Sequence, residues 1–245
     1  MELILVFSPG RVGTAYLSQV FGGGSWNKRK IHIQDRWAIG HEFWNSGKDI
    51  SYLKKQDPFS KKSIKYQIEK VVSDINNIQT KYDVDNIFCT GNLIGRFFSY
   101  CLPYLDDIEY KIINLTREKN SLCQSFIGRV RSYEKHKNLK NYTEHLFDTV
   151  LFSPKDFTFH NISNWDFLSE TDKFFWYFTE CEKRWNKLKI TLNSDSYLQT
   201  TYEYILTYAG LEEISKFTGL KYFPELMKIR VNPGDKYKRG EIKSE

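Results

Sequence analysis

Apolar residues along the chain come in two patterns. A short unbroken run occurs at Leu3–Phe7, as expected of a strand buried on both faces of a parallel sheet, and Val84–Cys89 and Tyr110–Leu115 read as further strands. Lys30–Gln34 reads as a further short strand. Between these runs the apolar positions recur at helical spacing. The helix after the first strand opens at Thr14 and ends in Gly22-Gly23-Gly24, and a long one follows Ser60 through Ile64, Ile68, Val71, Val72, Ile75 and Ile78. A third carries Leu93, Ile94, Phe97, Phe98, Cys101 and Leu102 up to Pro103, and a fourth starts near Asn120 with Leu122, Ser125, Phe126 and Arg129. Strand and helix alternate four times. This predicts a three-layer α/β/α domain around a parallel sheet of about four to five strands with right-handed crossovers.

The second half is more helical. Asn141–Val150 predicts a short helix, Phe152–Phe167 an aromatic loop, and Thr171–Leu188 an amphipathic helix. Lys189–Leu192 reads as a fifth strand. Thr200–Ala209 and Leu211–Thr218 read as two closing helices on either side of Gly210, followed by a basic tail. With no internal repeat and no long linker, residues 1–245 form one domain.

Composition narrows the function. A net charge of +6 suits an anionic ligand but is too mild to demand nucleic acid. Cys89, Cys101, Cys123 and Cys181 are widely spaced in apolar settings and form no C-x-x-C pair, so neither a disulfide framework nor a metal site is expected. No apolar run approaches a membrane span, and Leu3–Phe7 is too short for a signal-peptide core and lacks a basic leader. A reducing, cytoplasmic setting is expected.

The chemistry concentrates at strand ends, where parallel sheets bind ligands. Ser8-Pro9-Gly10-Arg11-Val12-Gly13-Thr14 joins the first strand to the first helix. Such a turn aims free N–H groups at one point, where the helix dipole also favours negative charge. Arg11 adds a fixed positive charge with planar donors. It is not a Walker A loop, because Gly13 is followed by Thr14 and not by Lys. Thr116-Arg117 ends the strand Tyr110–Leu115, and Thr90-Gly91-Asn92 ends Val84–Cys89. A polar and aromatic cluster follows the second strand: Asp35, Arg36, Trp37, His41, Glu42, Phe43 and Trp44.

Two of these pieces together resemble the sulfotransferases that use 3′-phosphoadenosine 5′-phosphosulfate (PAPS). That family grips the 5′-phosphosulfate with a [K/R]-S-G-T-T-[W/L] loop after the first strand; here the place reads Arg11-Val12-Gly13-Thr14-Ala15-Tyr16. A later strand ends in an Arg followed eight residues on by a Ser, which hold the 3′-phosphate; here these are Arg117 and Ser125. The tail segment Gly234-Asp235-Lys236-Tyr237-Lys238 resembles the G-D-W-K ending of a family loop that closes over the nucleotide. Three positions depart from the pattern. Val12 stands for Ser, Ala15 for the second Thr, and Glu118-Lys119 for an acidic-Pro pair.

The resemblance implies a P-loop NTPase-like domain that transfers a sulfuryl group from PAPS to a hydroxyl or amine of a small-molecule, lipid or carbohydrate acceptor. Adenosine 3′,5′-bisphosphate would be the product, and no metal is implied. It places Val12–Ala15 on the 5′ end, Arg117 and Ser125 on the 3′-phosphate, and Arg11 at the oxygen that leaves. Tyr16 stands either against the adenine or in the core. The base is expected at Glu42 or His41, then at His32 or Asp35. A P-loop small-molecule kinase and a non-catalytic nucleotide-binding protein of the same fold are the alternatives.

Overall fold

A computed structural model of the chain describes residues 1–23, 31–41, 47–137 and 141–228. Glu42 and the Gly234–Lys238 segment lie outside the described residues.

The run Glu2–Phe7 (β1) is the centre of the sheet. It pairs in parallel with Asn86–Cys89 (β4) on one side and Glu109–Thr116 (β5) on the other. Leu3–Phe7 are at most 1% exposed. Burial on both faces is why the run has no polar alternation. Trp37–Gly40 (β3) joins the outer side of β4 in parallel, and Tyr197–Thr201 (β6) joins β5 in parallel. Ile31–Gln34 (β2) pairs antiparallel with β3, in the order β2-β3-β4-β1-β5-β6.

The three-layer arrangement around a central parallel sheet is as expected; five strands run parallel, and β2 adds an antiparallel edge as a sixth. Strand β3 has only four residues, hidden in the sequence among polar and aromatic neighbours. Two residues, Asp35 and Arg36, make the β2–β3 turn, both at positive φ.

Helices cover both faces. Thr14–Gly22 (α1) follows β1. Then come Gly47–Leu53 (α2), Lys61–Tyr82 (α3), Asn92–Phe98 (α4) and Lys119–Lys137 (α5). Ser60 caps α3 by accepting from the Ser63 N–H, as its position ahead of the apolar periodicity predicts. Tyr142–Thr149 (α6) and Glu170–Lys189 (α7) pack beyond α5.

Two expectations for the second half are corrected. Lys189–Leu192 is not a strand. Lys189 closes α7, Thr191 and Leu192 turn back on it, and Ile190 is 84% exposed. The strand falls later, at Tyr197–Thr201, and its last two residues take the start of the helix expected at Thr200–Ala209. Thr201 then caps the one-turn helix Tyr202–Ile205 (α8) by accepting from the Tyr204 N–H. Thr207 caps Tyr208–Thr218 (α9), so Gly210 lies within that helix and not between two helices. Five residues give too short a period for β6 to stand out from the polar residues before it and the expected helix after it.

A buried polar cluster ties the loop after α6 to the core. Arg184 Nε donates to Glu180 Oε1 at 2.7 Å, and both side chains are at most 1% exposed. Glu180 also accepts from the Phe159 N–H, and Lys54 pairs with Asp156 at 3.3 Å. Hydrogen bonds to loop backbone offset part of the desolvation cost of these ions.

Candidate functional site

Because β1, β3, β4, β5 and β6 are parallel, their C-terminal ends share one edge of the sheet. The loop 8–13, His41, Thr90–Asn92, Arg117 and Tyr202 all leave from that edge. The loop after β1 is sharply bent. Gly10, Arg11 and Gly13 have φ of 90°, 60° and 87°. For Arg11 the left-handed conformation costs about 1–2 kcal/mol, a strain retained at the mouth of the sheet. Gly13 is the N-cap of α1 and has no side chain to cap with, so the first N–H groups of α1 face the edge.

The two halves of the motif pair meet here. Arg117 Nη1 donates to the Arg11 carbonyl at 3.4 Å, and Arg11 Nε donates to Ser125 Oγ at 3.2 Å. Arg11, expected at the reacting bond, thus touches the residue expected at the far phosphate. Tyr16 points into the core side of the same region and is 5% exposed. Burial, with Tyr202 beside it, pushes its hydroxyl up to about 12. The Tyr16 hydroxyl and Arg117 Nε are both buried without a hydrogen-bond partner. Leaving such groups unmet costs about 1–3 kcal/mol each, so both fit a polar ligand that would satisfy them.

Tyr202 and Glu203 were missed from the sequence. The Tyr202 ring lies under the Arg117 guanidinium at 4.4 Å, and a Cβ on Gly13 would sit 2.8 Å from that ring. Glu203 Oε1 is 3.8 Å from Arg117 Nε, too long for a hydrogen bond and more than half exposed. Only the strand-to-helix switch at Thr201 brings these residues to the edge, and that switch was read as helix throughout.

The loop also has a second side. A Cβ on Gly10 would meet Asn92 Nδ2 at 2.9 Å, and beyond Gly10 opens a cavity of about 270 Å³. Arg11, Arg96, Arg129 and His145 line it together with Phe126 and Tyr142.

The expected bases separate. His41 ends β3 at the correct edge, 7% exposed, with Nδ1 3.4 Å from the Thr90 carbonyl. The Thr90 hydroxyl lies 3.5 Å from the same nitrogen. His41 is not among the residues lining the cavity. Asp35 sits in the β2–β3 turn at the opposite end of the sheet. His32 packs against Gly22, at the end of α1 about 12 Å from Thr14 along the helix axis. Neither is brought to the loop. Among the described residues no group of three or more His, Cys, Asp or Glu side chains is placed to hold a metal ion, and no helix is long and apolar enough to cross a membrane.

No family model and no curated protein matches the chain. Among solved structures it is similar to the sulfotransferase domain from the curacin biosynthetic pathway, at 14% identity and a TM-score of 0.51. That match covers 94% of this chain and 78% of the other. The sulfotransferase domain from the Synechococcus PCC 7002 olefin synthase aligns at 15% identity with a TM-score of 0.48, over 93% and 76% of the two chains. At such identity the first likeness is one of fold: a three-layer α/β/α domain of the kind that sulfotransferases use.

Proposed function

We propose that this chain is a sulfotransferase that takes its sulfuryl group from PAPS and passes it to a hydroxyl or amine of a small acceptor. The observation that carries the reading is the convergence of Arg11, Arg117 and Ser125. They lie far apart in sequence, yet are joined by two hydrogen bonds beside the N-terminus of α1. A nucleotide with a phosphate at each end needs two anion grips within reach of each other.

In this reading the N–H groups of Gly13–Tyr16 hold the 5′ end, without the hydroxyl that Ala15 lacks. Arg117 and Ser125 hold the 3′-phosphate, the guanidinium offering paired donors and the hydroxyl a single one. Tyr202 keeps Arg117 oriented by stacking on it. Arg11 lies between the nucleotide side of the loop and the cavity, so its charge stabilises negative charge building between donor and acceptor. Bound PAPS supplies the activated sulfuryl group and a bisphosphate leaving group. The acceptor must also lose a proton. His41 at the end of β3 and Glu42, the next residue in sequence, are the candidate bases, joined by His145 on the cavity wall. Replacing each by Gln in turn identifies the base as the one whose loss abolishes the acidic limb of the kcat/KM profile.

Adenosine 3′,5′-bisphosphate tests the reading without any acceptor. At a hundred times its Kd it stabilises the fold by about 2.7 kcal/mol, raising Tm by about 5–11 °C. Arg117→Ala removes charge-assisted bonds of about 1.5–3 kcal/mol, weakening binding about 10- to 150-fold. No shift at millimolar bisphosphate, with the Arg117→Ala protein behaving identically, would sink the proposal. Binding without transfer to any acceptor in a broad screen would leave a nucleotide-binding protein, the outcome that Val12 and Ala15 favour by removing hydroxyls from the grip.

A further inference from the structure

The cavity on the Gly10 side of the loop differs in chemistry from an ordinary apolar acceptor pocket. Its described lining includes three arginines and a histidine, Arg11, Arg96, Arg129 and His145, and no Asp or Glu. Two nearby carboxylates are engaged elsewhere: Glu134 accepts from the Tyr142 N–H, and Glu144 pairs with Lys173 at 2.6 Å; Asp148, next to the lining residue Thr149, is exposed. Arg96 is fully buried, with Nη2 on the Val150 carbonyl at 3.3 Å and the rings of Phe97, Phe152 and Tyr177 around its guanidinium. Low-dielectric walls strengthen the pull of such a charge on anything in the adjoining space.

Arg129 is held in place as well. Its guanidinium lies over the Tyr133 ring at 5.0 Å and reaches the Tyr133 hydroxyl at 3.5 Å. Tyr133 stacks on Tyr142 at 4.6 Å, and Tyr142 stacks on His145 at 5.7 Å. A cation fixed before the ligand arrives loses little side-chain entropy on binding. Planar guanidinium groups match carboxylate and phosphate oxygens two at a time. Leu93, Phe126, Tyr142 and Leu146 supply apolar lining for the ligand's body.

We infer that this cavity is the acceptor pocket and that the acceptor is a small anionic molecule. It would bear a hydroxyl together with a carboxylate or phosphate, the anionic group lying on the Arg129 side and the hydroxyl toward Arg11. A volume of about 270 Å³ lies just below the about 300–1,000 Å³ range of small-molecule pockets, so the acceptor is compact. The assignment of the ligand as acceptor rests on the proposed transfer reaction; the preference for an anion does not.

The test is direct titration of the full chain by calorimetry, with and without adenosine 3′,5′-bisphosphate. The probes are 4-hydroxybenzoate and 3-hydroxybutyrate against their methyl esters, and glycerol 3-phosphate against glycerol. At least one anion is expected to bind about tenfold or more tightly than its neutral partner, the size of one charge-assisted bond. The arm that discriminates names the group as carboxylate or phosphate. Arg129→Gln is expected to abolish the preference and Arg129→Lys to keep part of it, with affinity for the bisphosphate unchanged in both. Neutral partners binding as well as the anions, no probe binding at all, or a preference that survives Arg129→Gln would overturn the inference. Anion discrimination in a protein that does not bind the bisphosphate would instead strike the donor assignment and leave the anionic pocket standing.

Discussion

Gly13→Ala and Gly219→Ala form a matched pair that separates backbone strain from damage to the site. Both glycines cap helices at positive φ, 87° at Gly13 and 74° at Gly219. An L-residue there costs about 1–2 kcal/mol, and restriction of the unfolded chain returns about 0.4–1 kcal/mol. At Gly219 nothing lies within 4 Å of a built Cβ, so strain is the whole effect. That variant is expected to lose about 1 kcal/mol, or about 2–4 °C in Tm. At Gly13 the same Cβ would sit 2.8 Å and 3.0 Å from Tyr202 ring carbons and 3.3 Å from Ile205 Cδ1. The ring has to move, and it carries the Arg117 guanidinium at 4.4 Å. Losing that stacking adds about 0.5–2 kcal/mol, for a total near 2 kcal/mol and a drop of about 4–8 °C. Differential scanning fluorimetry gives both shifts. Titration with adenosine 3′,5′-bisphosphate should then show binding weakened in Gly13→Ala and retained in Gly219→Ala. Equal Tm losses in the two variants would refute the Tyr202 contact as the source of the difference. Undiminished nucleotide binding by Gly13→Ala would refute the placing of the nucleotide across Gly13 and Arg117.

Two further predictions concern the core. Arg184→Leu leaves Glu180 buried without its cation and is expected to cost about 3–5 kcal/mol in urea unfolding, whereas Glu180→Gln with Arg184→Leu recovers most of it; equal losses in the single and double variants would show that the ion pair is not the cause. In alkali, burial raises Tyr100, Cys101 and Cys181 to about 12, above their unfolded values. A raised pKa stabilises fully below the unfolded value, and that contribution is lost as pH rises toward the folded one. Stability should therefore fall from about pH 9 upward, by about 1.4 kcal/mol per pH unit for each group once its unfolded form ionises; a Tm that stays level from pH 8 to pH 11 would contradict the burial of these groups.

The loop after β1 was legible because it depends on a local pattern. An unbroken apolar run, two glycines and an arginine announce a strand that ends in a tight turn, whereas Arg117 and Ser125, on a later strand–helix unit, were singled out only by the family resemblance. What stayed hidden depends on short or ambiguous segments. Four residues of β3 and five of β6 give too short a period to read. Tyr202, which braces Arg117 against Gly13, was lost with that strand.

The order of strands was likewise beyond the reach of periodicity. Apolar runs say that segments are buried strands, but pairing is a long-range choice made by packing and hydrogen bonds. That choice puts β1 between β4 and β5 and adds an antiparallel edge at β2. The same distinction holds for charge. The chain's net +6 indicates an anionic ligand without locating it. Folding brings Arg11, Arg96 and Arg129, far apart in the chain, around one cavity while Glu134 and Glu144 meet other partners, an arrangement set by tertiary packing and not by any local pattern.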